Sequence, residues 1–524
     1  MPIQILSPLV ISKIAAGEVV ERPASVVKEL LENSLDAGAT QVSIEVGGGG
    51  IQLIRVADNG SGIHAGEVEL AFERHATSKI TSEGDIESIS TLGFRGEALP
   101  TIASVAEVSL VTRHRDEDIG TMVKIENGTT VSKSKQGSAQ GTIITVRNLF
   151  QNVPARLKFL KSVSTEAGHI NSLVTQYALA FPEVKFTLVV NGRTVLRTSG
   201  NGNLRDALVE AYGVETAQAM LEIEPKENAE EGLPRVTGFV GPASVARSSR
   251  DYLSFFINRR WVQNRALTFA VEQAYQGMLM VGKHPIVVLN IAVPPPEIDV
   301  NAHPTKREIR FRHEGEVFLA VQRAVRETLV GLSPVPHMKV PSSRPLTPDP
   351  RSLSFFAPPR ESTLPASQSA SPQGRPDEPA LPAAQLPILR VIGQFQSTYI
   401  LAEGPDGMYL IDQHAAHERI LFEKIQEQQA RQAPEVQGLL EPMPIEVAAR
   451  QAELVRTNAE ALAATGFSLE PFGERAYLLR AVPSVIKRSE IVLALMEIID
   501  SLGESEKGRR QERIAQSLAC HGAV

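Results

Sequence analysis

The chain is 524 residues long, 42% hydrophobic and 22% charged, a globular composition with length for about three domains. A formal net charge of −7 excludes a uniformly basic nucleic-acid binder, so any DNA contact must come from local basic clusters and weaken with salt. One cysteine, Cys520, excludes an internal disulfide framework and fits a reducing cytoplasm. The N-terminal MPIQILSPLV lacks a basic segment followed by a long apolar core, and no stretch approaches the roughly 18 apolar residues of a membrane span. These features predict a soluble cytoplasmic protein with no membrane partner.

Ser25 to Asp36 is predicted as a helix. Val26, Val27, Leu30, Leu31 and Leu35 form one apolar stripe, and Glu29, Glu32, Asn33 and Asp36 lie opposite. Pro23 and Ser25 are start signals and Gly38 a stop. A solvated charged face is the bland account of the polar side. The chemical account is that Glu29 and Asn33, at i and i+4, point the same way. An amide oxygen can ligate Mg²⁺, and a carboxylate can orient water for attack on phosphorus. Ile51 to Val56 reads as a strand ending near Asp58, whose carboxylate can accept from an amino group such as that of adenine. Asn59, Gly60 and Gly62 follow; the glycines permit close backbone approach, although an ordinary turn also explains DNGSG. Thr77, Ser78 and Lys79 form a polar stretch that could close over a nucleotide. Gly93, Phe94, Arg95, Gly96, Glu97, Ala98 and Leu99 read as a glycine-hinged loop opening a helix at Thr101 to Val105, an end that offers free N–H groups to phosphate. Gly141 and Thr142 open another strand, Ile143 to Val146. No G-x-x-x-x-G-K-[ST] segment occurs, which excludes a P-loop.

These four segments, in this order, resemble the MutL family of DNA mismatch-repair proteins, within the superfamily of gyrase, Hsp90, histidine kinases and MutL. The ENSLDAGAT and GFRGEAL forms are specific to MutL within that group. The resemblance implies an ATPase that uses ATP and Mg²⁺. Glu29 would be the general base, Asn33 the Mg²⁺ ligand and Asp58 the adenine reader, with the glycine-rich loops as a phosphate lid.

Residues 1–204 would then form a Bergerat-type ATPase sandwich and 205–332 a second, ribosomal-protein-like α/β domain. In the second domain, Tyr252 to Ile257 and Ile286 to Ala292 are predicted strands and Glu316 to Leu329 a helix. By resemblance, Lys306 of DVNAHPTK reaches the γ-phosphate; by itself it reads as a surface lysine. Arg259, Arg260 and Arg265 flank Trp261, a cluster suited to DNA or to plain solvation, and the family favours Arg265 as the DNA contact. Arg156, Lys158 and Lys161 could serve DNA or an interdomain joint. Residues 333–387 hold 14 of the 34 prolines and few aliphatics, and read as a disordered linker.

Residues 388–524 are predicted as an α+β dimerisation domain, completing an α/β (α+β) chain. Met408 to Ile411 reads as a strand, and Asp412 to Glu423 opens a helix that fits D-Q-H-A-x-x-E-x-x-x-x-E. His414 and Glu418 are one turn apart, whereas Glu423 lies about 140° round from Glu418. An N-capped amphipathic helix is the bland alternative. In the family this pattern marks members that nick DNA. The resemblance implies a metal, Mn²⁺ or Zn²⁺, held by Asp412, His414, Glu418 and Cys520. The family's Cys-Pro-His-Gly-Arg-Pro continuation does not follow Ala519 to Val524, which predicts a truncated domain and puts nicking in question. Gln437, Leu439, Leu440 and Pro442 match Q-x-L-[LI]-x-P, a pattern resembling the family's sliding-clamp peptide; a hairpin strand is the other reading.

The expected protein is a homodimeric, nucleoid-associated ATP switch. It would couple a mismatch-recognition protein to double-stranded DNA, the sliding clamp and a helicase, with a latent nicking site. An ATP-gated matchmaker that cuts nothing is the alternative. A topoisomerase subunit or chaperone is opposed by GFRGEAL and the C-terminal motif.

Overall fold

The computed structural model describes residues 20–80, 91–93, 96–224, 234–279, 282–299, 309–331, 389–395, 398–405, 407–431, 433–473, 475–504 and 510–523. Phe94, Arg95, Lys306 and the segment 333–387 therefore lie outside the described residues. The chain divides into two compact units, residues 1–332 with 417–524, and residues 333–416.

In the first unit, period-two alternation of apolar residues builds an eight-stranded sheet. Its strands are β1 (Gln41–Gly47), β2 (Leu53–Asp58), β3 (Glu107–Arg113), β4 (Gly120–Glu126), β5 (Thr129–Gln136), β6 (Gly141–Arg147), β7 (Lys185–Val190) and β8 (Arg193–Arg197). Their order is β5-β4-β3-β6-β2-β1-β7-β8. Only β1 and β7 pair in parallel; the other neighbours are antiparallel. Val42, Ile44, Ile54, Val56, Leu110 and Leu188 share one core with the helices Pro23–Asp36 and Val163–Ala180. This is a two-layer α/β sandwich. Leu30 and Leu31 are at most 1% exposed, each contributing about 2 kcal/mol of apolar burial. The first helix begins at Pro23, two residues before the predicted Ser25. Pro23 sits where a missing N–H costs nothing, and the N-cap residue is Arg22, whose side chain makes no capping hydrogen bond. The strand predicted from Ile51 starts instead at Leu53, because Gly48–Gly50 form a 3₁₀ turn that Ile51 closes. At the far edge, β5 is exposed along its whole length, and Lys133 on it pairs with Glu69 at 2.7 Å.

A second sheet follows: β9 (Leu221–Ile223), β10 (Arg235–Val240), β11 (Leu253–Ile257), β12 (Arg260–Val262) and β13 (Val287–Ala292), in the order β12-β11-β13-β10-β9. Helices Arg265–Ala274 and Glu314–Gly331 share its core through Leu267, Val271, Val321 and Val325. The predicted strands and helix of this region are present, with ends shifted by one or two residues. Residues 417–524 add a separate core around Leu479, Leu495, Ile498 and Ala515, from strands Val436–Glu446, Ser468–Pro471 and Ala476–Pro483 and the helices Ile491–Glu504 and Arg510–Gly522. In the second unit, Arg390–Phe395, Tyr399–Gly404 and Gly407–Asp412 form a three-stranded antiparallel sheet. Among the described residues no helix is long and apolar enough to cross a membrane.

Candidate nucleotide site

The last two turns of the Pro23–Asp36 helix face the end of β2, and this packing assembles the site. Asp58 is the hub. Its Oδ1 accepts from the Gly60 N–H at 2.9 Å and the Thr142 N–H at 3.2 Å, and its Oδ2 accepts from the Ser34 hydroxyl at 2.8 Å. Burial pushes the Asp58 carboxyl up despite these three donors, each of which pulls it down. Thr142 is braced in turn by a 3.0 Å hydroxyl contact with Thr112. Gly141, at φ 112°, lets β6 lie against β2: a Cβ there would stand 2.1 Å from the Asp58 carbonyl oxygen.

One residue before Ser34, Asn33 turns its amide oxygen the other way. The Lys79 ammonium donates to Asn33 Oδ1 at 2.8 Å and to Asp36 Oδ2 at 2.6 Å. Asp36 also accepts the N–H groups of Leu92 at 2.8 Å and Gly93 at 3.0 Å. A Cβ on Gly93 would come within 3.0 Å of the Lys79 nitrogen, so glycine leaves room there for the cation. Oxygen donors already holding an ammonium fit a hard cation such as Mg²⁺. Glu29, a turn earlier, lies 3.3 Å from Lys28, which also reaches Glu32 at 3.0 Å. Burial pulls the Lys28 pKa down, but the Glu32 and Glu29 carboxylates outweigh it and the net shift is upward. The Tyr177 hydroxyl donates to Glu32 at 2.6 Å. Glu29 faces a cleft of about 990 Å³ whose lining includes Arg265, the first residue of its helix.

The helix after the glycine loop runs from Ala98 to Val105, starting three residues earlier than Thr101. Gly96 precedes it at φ 62°, and its carbonyl accepts from the His75 N–H at 3.0 Å. Thr77 accepts from the Lys79 N–H at 3.2 Å, shaping the Thr77–Lys79 turn.

Sequence reasoning did not assign three contributors to this site, and it read Arg260 as part of a DNA-facing or solvated cluster, whereas the fold buries it. Asp36 had a legible signal, since it lies three residues after Asn33 on the same polar face. Ser34 had none, because its partner Asp58 is fixed only by tertiary packing. Arg260 is 9% exposed and donates to the carbonyls of Thr91 and Leu92, the latter at 3.1 Å. Burial pulls its pKa down while Glu32 and Asp36 push it back up. The second sheet thus grips the backbone just before Gly93. Arg260→Met, which keeps the aliphatic stem and removes both donors, is expected to raise the KM for ATP at least about ten-fold, since two charge-assisted bonds to the loop are lost. Steady-state phosphate release checks this; an unchanged KM removes Arg260 from the coupling.

The remaining predicted residues fall elsewhere. Arg156 donates to the Val20 carbonyl at 3.2 Å and lies 5.6 Å from the Phe150 ring, contacts within the first sandwich rather than with solvent. Lys158 is exposed beside Phe159, itself 87% exposed. Asp412 caps the Gln413–Ala430 helix, its Oδ1 accepting from the N–H groups of His414 at 2.9 Å and Ala415 at 3.1 Å. That helix carries His414 and Glu418 one turn apart. The Cys520 thiol hydrogen-bonds the Glu418 carboxylate; burial first, and that carboxylate second, push the thiol up. Gln437 and Leu440 are exposed on the Val436–Glu446 strand, whose register breaks between Gly438 and Met443, while Leu439 packs on the core.

Residues 21–151 match the family described as histidine kinase-, DNA gyrase B-, and HSP90-like ATPase, which sets the class to which the sandwich and its site belong. Residues 208–330 match the DNA mismatch repair protein, C-terminal domain, and residues 392–524 the MutL C terminal dimerisation domain. The DNA mismatch repair protein MutL of Desulforudis audaxviator is 41% identical over 100% of this chain and 91% of its own length. That of Geobacter sulfurreducens gives the same figures. The crystal structure of the N terminal domain of a DNA repair protein matches with 25% identity and a TM-score of 0.54, covering 61% of this chain and 98% of that one. The chain belongs to the MutL family of DNA mismatch-repair proteins.

Proposed function

We propose that this chain is the ATP-driven switch of a mismatch-repair pathway, with Glu29, Asn33 and Asp58 as its working residues. The meeting of Asn33, Asp36 and Lys79 beside Gly93 carries the reading, because oxygens that hold a cation and a lysine charge stand together where the glycine loop begins. Asp58 accepts the adenine amino group, while Ser34, Gly60 and Thr142 fix its carboxylate. Asn33 contributes its amide oxygen to Mg²⁺, which, when bound, offsets phosphate charge. Lys79 exchanges Asn33 for a phosphate oxygen. Glu29 takes the proton of the attacking water, whose oxygen displaces ADP from the γ-phosphorus. Lys306 completes the phosphate contacts from the second domain. Closure over ATP brings the ATPase domains of a homodimer together, and hydrolysis releases them. Double-stranded DNA at Arg265 and Lys158, a mismatch-recognition protein and a helicase are the partners of that cycle.

Asn33→Ala tests it: Mg²⁺-dependent ATP binding should weaken while binding without Mg²⁺ stays. Equal loss with and without Mg²⁺ overturns the assignment.

The C-terminal donors are read as a nicking site. Thiol, imidazole and carboxylates suit Zn²⁺ or Mn²⁺, and the Glu418–Cys520 hydrogen bond supports the reading. Supercoiled plasmid should be nicked with Mn²⁺, and Glu418→Ala should abolish this. No nicking by either protein leaves the matchmaker function. Gln437, Leu439, Leu440 and Pro442 form the clamp peptide, with Leu440 wholly exposed and available to a pocket. Leu440→Ala is expected to weaken sliding-clamp binding more than about ten-fold without moving Tm, as surface truncation of an anchor should. Unchanged binding by surface plasmon resonance refutes it.

A further inference from the structure

Behind the Asp58 loop, two segments carry side chains that the nucleotide chemistry does not use. His64 follows Gly62, and His114, Asp116 and Glu117 follow β3. One ligand atom from each of His64, His114 and Asp116 lies within 4.8 Å of the others. The two imidazole rings lie against each other with centroids 3.5 Å apart and planes tilted by 32°. His114 is 9% exposed, and its Nδ1 lies 3.3 Å from Asp116 Oδ2. Glu117 adds a second carboxylate: Oε1 accepts from the Ala65 N–H at 3.0 Å and lies 3.7 Å from His64 Nδ1. Its Oε2 is buried with no hydrogen-bond partner among the described residues.

The backbone under this cluster is already fixed. The Arg115 N–H donates to the Ser61 carbonyl at 3.1 Å, and the Ile63 N–H donates to Thr112 Oγ1 at 2.9 Å. A Cβ on Gly62, at φ 75°, would stand 2.2 Å from the Arg113 carbonyl oxygen, so glycine permits this approach. Two loops distant in sequence are thus held side by side by backbone contacts of their own, which lowers the entropy of assembling a site.

The geometry points to a divalent transition-metal site of the Zn²⁺ class at His64, His114 and Asp116, with Glu117 beside it. Two imidazoles and a carboxylate suit Zn²⁺, Co²⁺ or Ni²⁺; Mg²⁺ and Ca²⁺ take oxygen ligands and are disfavoured. The buried free oxygen of Glu117 supplies either a fourth ligand or a partner for metal-bound water. Such an ion staples the loop after β2 to the loop after β3. Thr112, which holds the first loop, also contacts Thr142, and Thr142 donates to Asp58. The staple therefore stiffens the strand ends that hold the Asp58 carboxylate.

The test uses the full chain, stripped with chelator and free of nucleotide, in an Asp412→Asn/His414→Ala/Glu418→Ala/Cys520→Ser background that removes the C-terminal donors. Co²⁺ titration followed by visible d–d absorption should show one bound equivalent. His64→Ala, at a ring whose side chain is 47% exposed, should fold normally and weaken that equivalent more than about ten-fold. His114→Ala should do the same, and bound Zn²⁺ should slow amide exchange at Ile63 and Ala65. Equal stoichiometry, affinity and spectrum in the parent and His64→Ala proteins overturn the site, as does a parent that binds no Co²⁺.

Discussion

Glu29→Ala is expected to lower kcat for ATP hydrolysis by roughly 10²- to 10⁴-fold, the contribution of a positioned general base. Nucleotide affinity should stay within about three-fold of the parent value. The split follows from geometry. Glu29 sits a full turn from Asn33 and makes none of the hydrogen bonds around Asp58, so its removal leaves the binding groups intact. Lys28 keeps Glu32 as a partner at 3.0 Å, so no buried charge is stranded. Phosphate release and equilibrium nucleotide binding, measured on the same preparation, check both halves. Unchanged turnover removes Glu29 as the base, and a matching loss of binding makes it a structural residue.

Asp58→Ala should weaken nucleotide binding by about 10- to 100-fold, the effect of losing a charge-assisted hydrogen bond. It also strands the donors of Gly60, Thr142 and Ser34, so Tm should fall. Asp58→Asn separates the two effects. Its amide oxygen still accepts from Gly60 and Thr142, and its NH₂ can donate to the Ser34 hydroxyl, but that NH₂ opposes the adenine amino group. Affinity should fall while Tm holds. The same carboxylate sets a pH dependence. Its folded pKa lies above the unfolded value because of burial, so the ionised form costs stability at neutral pH, and acidification through the folded pKa relieves that cost. Nucleotide affinity runs the other way. It falls as the pH drops through the folded pKa, at higher pH than an ordinary carboxylate would give. The stabilisation that ATP adds to the unfolding temperature should shrink over the same window, and Asp58→Asn should lack this dependence.

The helical period of Val26, Val27, Leu30 and Leu31 and the alternation of Val42, Ile44 and Val46 made the sandwich legible, because each records burial on one face. The reading of Glu29, Asn33 and Asp58 as a set rested on four short segments standing in the family's order. What packing alone decides was not legible. Ser34 reaches Asp58 across 24 positions, and Arg260 reaches Leu92 across 168. No local pattern encodes either pair. Asp412 shows the opposite case, where the local helix-cap reading is met in the fold: a single oxygen takes both cap hydrogen bonds.

The wet edge of the large sheet has a practical consequence. An outermost strand presents unpaired backbone groups that invite another strand, and lysines on it discourage such pairing. Lys133 and Lys135 stand on β5, whose side chains are exposed on both faces. A substituent there meets solvent from either side and disturbs no core residue. With Cys520 as the sole native thiol, Ser134→Cys in a Cys520→Ser background gives one maleimide address on the ATPase sandwich. Dyes placed on the two copies of a dimer at that address would test the proposed closure directly, because any approach or separation of the ATPase sandwiches would change their energy transfer.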